Sequence, residues 1–269
     1  MNRTAIATIV ERDLTVVARS RAVSLPIVIL PLIFFVALPL ILVVAVSAVG
    51  DDLEDFGELL AIMPEPFRRE LVGLDSTAQA LVWGLEYLFA TFFLLVPLMT
   101  SAVIAADSFA GEKERRTLEA LVHTPTTDRD LYLGKLLAPW LAAMVVAVGG
   151  YVVYVLVVNL FGAPIVGRPI ALTPRWLLVV LWLAPGVAAL SVGALVHVSA
   201  RVRGFQEAYQ VGGLVVLPLV LLLVGQLTGV LYLDVWVVAA LGAIVWALAL
   251  GTIRLGYRSF RRERLLLQL

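Results

Sequence analysis

Six apolar runs decide what this 269-residue chain can fold into: about 25–49, 82–106, 136–161, 176–199, 211–231 and 235–256. Each is close to the 20 or so apolar residues with which a helix crosses roughly 30 Å of hydrocarbon. A soluble core can hide one or two such runs, but six need a bilayer. Membrane β-strands would alternate apolar and polar residues with period two, and these runs do not. The expected fold is therefore an all-α polytopic membrane protein with six transmembrane helices. A chain that is 61% hydrophobic and 15% charged agrees with that expectation.

The first run carries a passable signal-cleavage pattern at Ala45, Val46, Ser47 and Ala48. Signal h-regions are only about 7–15 residues long, so a retained span is expected. The chain has no cysteine, which excludes disulfides and Cys-based zinc sites. Arginine greatly outnumbers lysine, a bias that points to a prokaryotic, GC-rich source.

Basic residues flank the runs unevenly. Arg3, Arg12, Arg19 and Arg21 precede the first; Lys113, Arg115, Arg116, Arg129 and Lys135 lie between the second and third. Arg201 and Arg203 follow the fourth, and Arg254, Arg258, Arg261, Arg262 and Arg264 close the chain, leaving Arg68, Arg69, Arg168 and Arg175 for the other side. The positive-inside rule then places both termini in the cytoplasm of a multi-pass cell (plasma) membrane protein. Residues 50–81 become an outer acidic loop, with Asp51, Asp52, Glu54, Asp55, Glu58, Glu65, Glu70 and Asp75.

Outside the transmembrane domain at 25–256, the chain is expected to have two cytosolic pieces. Residues 1–24 read as an amphipathic interfacial helix, with Ile6, Ile9, Val10, Leu14 and Val17 on one face. Asp13 interrupts that face. Residues 257–269 form a basic tail. Gly225, Gln226, Leu227, Thr228 and Gly229 near the end of the fifth run could let the chain re-enter the bilayer instead of crossing it.

The charge block at 107–135 cannot lie in lipid. After Gly111, residues 112–122 read as a short helix in which Glu112 and Arg116 have the favourable i,i+4 order and Leu118, Leu121 and Val122 form an apolar edge. Pro125 ends it, because a residue before proline is pushed out of helical geometry. Thr127 and Asp130 then read as a capping box that opens the next helix. The expected product is a short cytosolic helix held crosswise between spans 2 and 3. A charged loop that serves only as a topology signal is the simpler alternative.

This block resembles the hallmark of the permease subunits of ABC-2 family ATP-binding-cassette transporters. The matching residues are Gly111, Glu112, Lys113, Glu114 and Arg115, then Thr117, Leu118 and Glu119, then Thr124 and Pro125, then Gly134 and Lys135. Arg116 departs from the glycine common there. The amino-terminal helix, the spans and the loop Gln206-Glu207-Ala208 extend the resemblance over nearly the whole chain. It implies a half-transporter, in which two permeases pair as a homo- or heterodimer among membrane lipids. Each docks a separate ABC ATPase subunit through the coupling helix. ATP and Mg would then be cofactors of the partner, with none bound by this chain. Gly134-Lys135 lacks the upstream glycine of a phosphate-binding loop and is followed by leucine, so it is no P-loop.

Polar residues within spans mark candidate pathway positions: Glu86, Thr91, Asn159 and Gln226. Glu86 lies close enough to the outer interface to be solvated. No catalytic or metal-binding residues are expected: His123 and His197 are far apart, and neither a His-Glu-x-x-His nor a Gly-x-Ser-x-Gly motif occurs. Nothing points to nucleic acid. A membrane scaffold within an ATPase-linked complex, or a membrane-embedded enzyme, remains the alternative to a transporter.

Overall fold

The computed structural model describes residues 2–50, 57, 60, 63–114, 126–199, 206–207, 210 and 213–259. Helices account for all the regular structure among them. Of the expected coupling residues, Arg115, Thr117, Leu118, Glu119, Thr124 and Pro125 lie outside the described residues, as does most of the basic tail.

Helix α1 spans Arg3–Arg19 and is opened by the Asn2 side chain, which accepts from the amide of Ala5. Ser20 is extended, so α1 ends before α2 begins at Arg21. Helix α2 runs on to Val49, with a π-helical stretch at Ile33–Ala37 between Pro31 and Pro39. Prolines remove backbone donors, so a wider turn here is a local answer to an interrupted ladder. A short α3 (Glu65–Glu70) follows.

Helix α4 (Ser76–Gly111) continues through Glu112–Glu114. Asp75 caps its start by accepting from the amide of Ala78 at 2.7 Å. Helix α5 (Asp128–Phe161) is capped by Thr127, whose hydroxyl accepts from the amide of Asp130 as the capping-box reading required. A one-turn α6 (Ala163–Val166) precedes α7 (Pro174–Ser199), α8 (Gly213–Leu227) and α9 (Val235–Ser259).

Among the described residues, five helices are long and apolar enough to cross a membrane: α2, α4, α5, α7 and α9. Of the fifth run, expected at 211–231, the described residues form α8, Gly213–Leu227, an apolar helix shorter than the other five. At 1.5 Å per residue it reaches only about 22 Å. It closes with a turn in which Gly229 has φ 71° and the amide of Leu231 donates back to Gly225. By contrast α4, with 36 residues, is about 54 Å long and must project beyond the hydrocarbon.

Burial sorts the helices. The most apolar stretches of α4 and α7 are 78% and 72% buried, against 17% for α2 and α9 and 28% for α5. Helices α4 and α7 therefore form the centre, packed on each other and flanked by α5, α9, α2 and α8. The outer helices turn Val145, Leu156, Leu160, Leu221 and Trp236 outward. Apolar residues on both the packed and the outward faces are what a lipid surround permits. Small residues set the closest approaches. A Cβ at Gly150 would lie 1.9 Å from the Phe35 ring, so α2 reaches α5 only because that side chain is missing.

Candidate coupling site

The flanks of the charge block meet at the α1 end of the bundle, around Lys135. Its side chain is fully buried, one helical turn beyond Leu131 on α5. An isolated ammonium there would cost far more than a fold can supply, so every donor needs a partner. Nζ donates to Glu112 Oε2 at 2.6 Å and to the Ser108 carbonyl at 2.9 Å. Ser108 Oγ lies 3.4 Å away and Asp13 Oδ2 3.6 Å away, with the Phe109 ring centroid at 5.6 Å. Ser108 in turn donates to Asp13 Oδ2 at 2.7 Å. Arg12 completes the set, approaching Glu112 Oε1 at 3.4 Å and Asp13 at 3.9 Å. Among the described residues, two cations and two carboxylates meet here.

Three elements are joined here: α1 through Arg12 and Asp13, the end of α4 through Ser108 and Glu112, and the start of α5 through Lys135. The buried stripe of α1 is Ile6, Ile9, Asp13 and Val17. Asp13, which interrupts the apolar face in sequence, is the member that meets Lys135. Gly134 permits the approach: a Cβ there would sit 2.8 Å from Cγ2 of Ile9. A further tie runs from the Asn2 amide to Asp130 Oδ2 at 3.2 Å.

Glu112 continues α4 and is buried and turned inward to Lys135, because a buried ammonium draws the nearest carboxylate. Its expected partner Arg116 lies outside the described residues. Gly111 is likewise buried at the end of α4, whereas Glu114 is exposed. The backbone of Lys113 is helical.

The four candidate pathway residues gather toward the opposite, α3 end. Glu86 is buried there, not solvated as expected. The segment after α6 folds over it, so Arg175 Nη2 donates to Oε2 at 3.0 Å and the Ala171 amide to Oε1 at 3.4 Å. Ala171 holds φ 62°, and its carbonyl accepts from Tyr151. The Arg175 guanidinium lies 3.8 Å from the centroid of the Tyr87 ring. Tyr87 donates to Glu70 Oε2, Tyr232 donates to Glu70 Oε1 at 2.8 Å, and the two phenols are 3.1 Å apart. Burial pushes the Tyr232 phenol above its ordinary value.

Thr91 donates to Gln226 Oε1, and Gln226 Nε2 to the Tyr87 carbonyl at 3.0 Å, binding α8 to α4. Asn159 stitches the segment after α6 to α5, donating to Val155 and Ile170 carbonyls and accepting from the Ile170 amide. All four residues are therefore engaged within the chain as cross-ties between helices and loops.

Sequence reasoning missed Asp13, Ser108, Arg12, Arg175, Glu70, Tyr87 and Tyr232 as members of these clusters. A usable signal existed for one of them, Arg175. Opposite charges at the same end of two spans, Glu86 and Arg175, suit a pair, because a lone charge at that depth is costly.

The family model described as "ABC-2 family transporter protein" matches residues 7–238. No curated protein matches the chain in sequence.

Proposed function

This chain belongs to the ABC-2 transporter family and is a multi-pass membrane permease of the ABC type, and from that premise we propose that it is one half of an exporter driven by a separate ATPase. It pairs with a second permease, identical or homologous, and each permease engages one ATPase subunit. Both termini and the segment 115–125 face the cytoplasm, by the positive-inside distribution of arginine. In this reading α1 lies along the inner membrane surface and α8 is a sixth, shorter membrane segment.

The observation that carries the reading is the Lys135 cluster. Segment 115–125 is bounded by Glu112–Glu114 on one side and α5 on the other, and those boundaries are clamped to each other and to α1. A force on the segment cannot be absorbed by slack at its base. It is delivered to α4, the central helix, and to α5 and α1 together. This division gives the motif two jobs: Gly134, Lys135 and Glu112 build the clamp, while Glu114, Arg115 and Glu119 meet the ATPase. The pathway residues then act as cross-ties that hold the outer end shut, and ATP with Mg stays with the partner.

The test is co-purification with the ATPase, followed by measurement of nucleotide hydrolysis. Replacing Glu114, Arg115 and Glu119 with alanine should abolish association while the permease still inserts and folds. Full association and full hydrolysis in that triple variant would rule out the segment as the docking element.

A further inference from the structure

A groove of about 260 Å³ opens to the membrane between α5, α7 and α9, lined by Leu133, Leu136, Trp140, Ala189, Val192 and Trp246. Its walls make no polar demand. The Trp140 indole N–H donates to the Pro185 carbonyl at 3.0 Å, and that of Trp246 to the Trp182 carbonyl at 3.0 Å. Only the ring faces remain for a guest. An apolar slot of this volume, walled by leucine side chains and indole faces, suits a flexible hydrocarbon chain.

The groove also has a charged mouth. On α5 the residues Arg129, Leu133, Leu136 and Trp140 are spaced four, three and four apart, which places them on one helical stripe. Arg129 is the exposed member nearest the α1 end. On α9, Ile253 lines the groove and the exposed Arg254 follows it in the same turn. Arg129 and Arg254 are thus exposed on two of the helices that wall the slot, at the end where the Tyr132 hydroxyl of α5 donates to the Ile253 carbonyl of α9. Basic positions between spans on the cytoplasmic side are where phospholipid headgroups are held.

We propose that this groove is a binding site for one acyl chain of an anionic phospholipid, whose phosphate is held by Arg129 and Arg254. The choice of the cytoplasmic leaflet rests on the orientation proposed above; the groove and its arginines do not. A lipid seated there bridges α5 and α9 one turn from the Lys135 cluster, and so steadies the helix that carries the coupling clamp.

The test uses the full-length permease in detergent without ATPase, so its outcome is separate from that of the docking experiment. Dioleoyl phosphatidylglycerol and dioleoyl phosphatidylcholine are added in equal amounts and retained lipid is counted by native mass spectrometry. Preferential retention of phosphatidylglycerol is expected. Arg129→Ala with Arg254→Ala should weaken that retention roughly thirtyfold, the equivalent of about 1 kcal/mol for each basic group near the surface. Ala189→Leu, which fills the slot and leaves both arginines, should also reduce it. Thermal unfolding of each variant confirms that it is folded. Equal retention of the two lipids, or an unchanged preference in either variant, overturns the site. So does a disulfide between two copies carrying Leu137→Cys in lipid vesicles, because a second permease would then occupy the face.

Discussion

Lys135 and Glu112 meet at 2.6 Å across 23 residues of sequence, and between them lies the segment proposed above to meet the ATPase. The ion pair is buried on both sides. It closes the base of the segment, and its energetics should be those of a pair that cannot be broken from one side. Lys135→Met removes the fully buried cation and leaves Glu112 and Asp13 with the longer, half-exposed contacts of Arg12, and should cost about 3–5 kcal/mol. Glu112→Gln with Lys135→Met together should cost less than the sum of the singles, with a coupling of about 0.5–3 kcal/mol. Chemical unfolding in detergent measures each; strict additivity would mean the pair is not coupled.

Gly134 makes a separate, steric prediction. Its Cβ position lies 2.8 Å from Ile9, so Gly134→Ala should displace α1 and destabilise by roughly 1–3 kcal/mol, the usual range for overpacking. Ile9→Ala in the same chain should recover part of that loss. Protease sensitivity of α1 provides the readout: faster cleavage in the single variant and slower cleavage in the double.

At the other end, Arg175→Met should be costly because Glu86 is left buried without its donor, again about 3–5 kcal/mol. Glu86→Gln keeps one carbonyl oxygen, enough for Arg175 or the Ala171 amide but not both, and adds no net buried charge of its own, so it should be milder. Thermal unfolding of the two variants orders them. The reverse order would show that Tyr87, not Glu86, is the main partner of the guanidinium.

Tyr232 gives a pH prediction outside the long spans. Burial raises its phenol above the ordinary value of 10.0. A raised folded pKa favours the protonated form, so its contribution is complete below pH 10 and is lost as pH climbs through the folded value. Tyrosinate absorbance of wild type minus Tyr232→Phe should therefore show a titration shifted to higher pH than free tyrosine. A midpoint at or below the ordinary value would contradict the buried contact with Glu70.

Much of this architecture could be read from residue order. Apolar run length located the five long apolar helices, although α4 and α5 begin about two turns before the runs at 82–106 and 136–161, and Thr127 with Asp130 marked where α5 starts. The inward turn of Glu112 could not be read, because it depends on a lysine 23 residues away and an aspartate on another helix. Periodicity treated Asp13 as a fault in an amphipathic face, since a local pattern says nothing of a buried ammonium opposite. The burial of Glu86 was hidden for the same reason: the cover comes from Ala171 and Arg175, beyond α5 and a loop. The fifth run had the apolar length of a span, and its glycine turn shortened it.

The central claim is that segment 115–125 touches the ATPase and that its clamped base passes on the force. Because the chain has no native cysteine, a single introduced one can be placed without background. Glu114→Cys is exposed beside the segment, and Arg69→Cys lies at the opposite end of the bundle. Each variant, reconstituted with its ATPase, is treated with a short thiol-to-amine crosslinker with and without ATP. The account predicts an ATPase adduct from position 114, altered by ATP, and none from position 69. Absence of an adduct at position 114 in a complex that still hydrolyses ATP, or equal adducts at both positions, would contradict it.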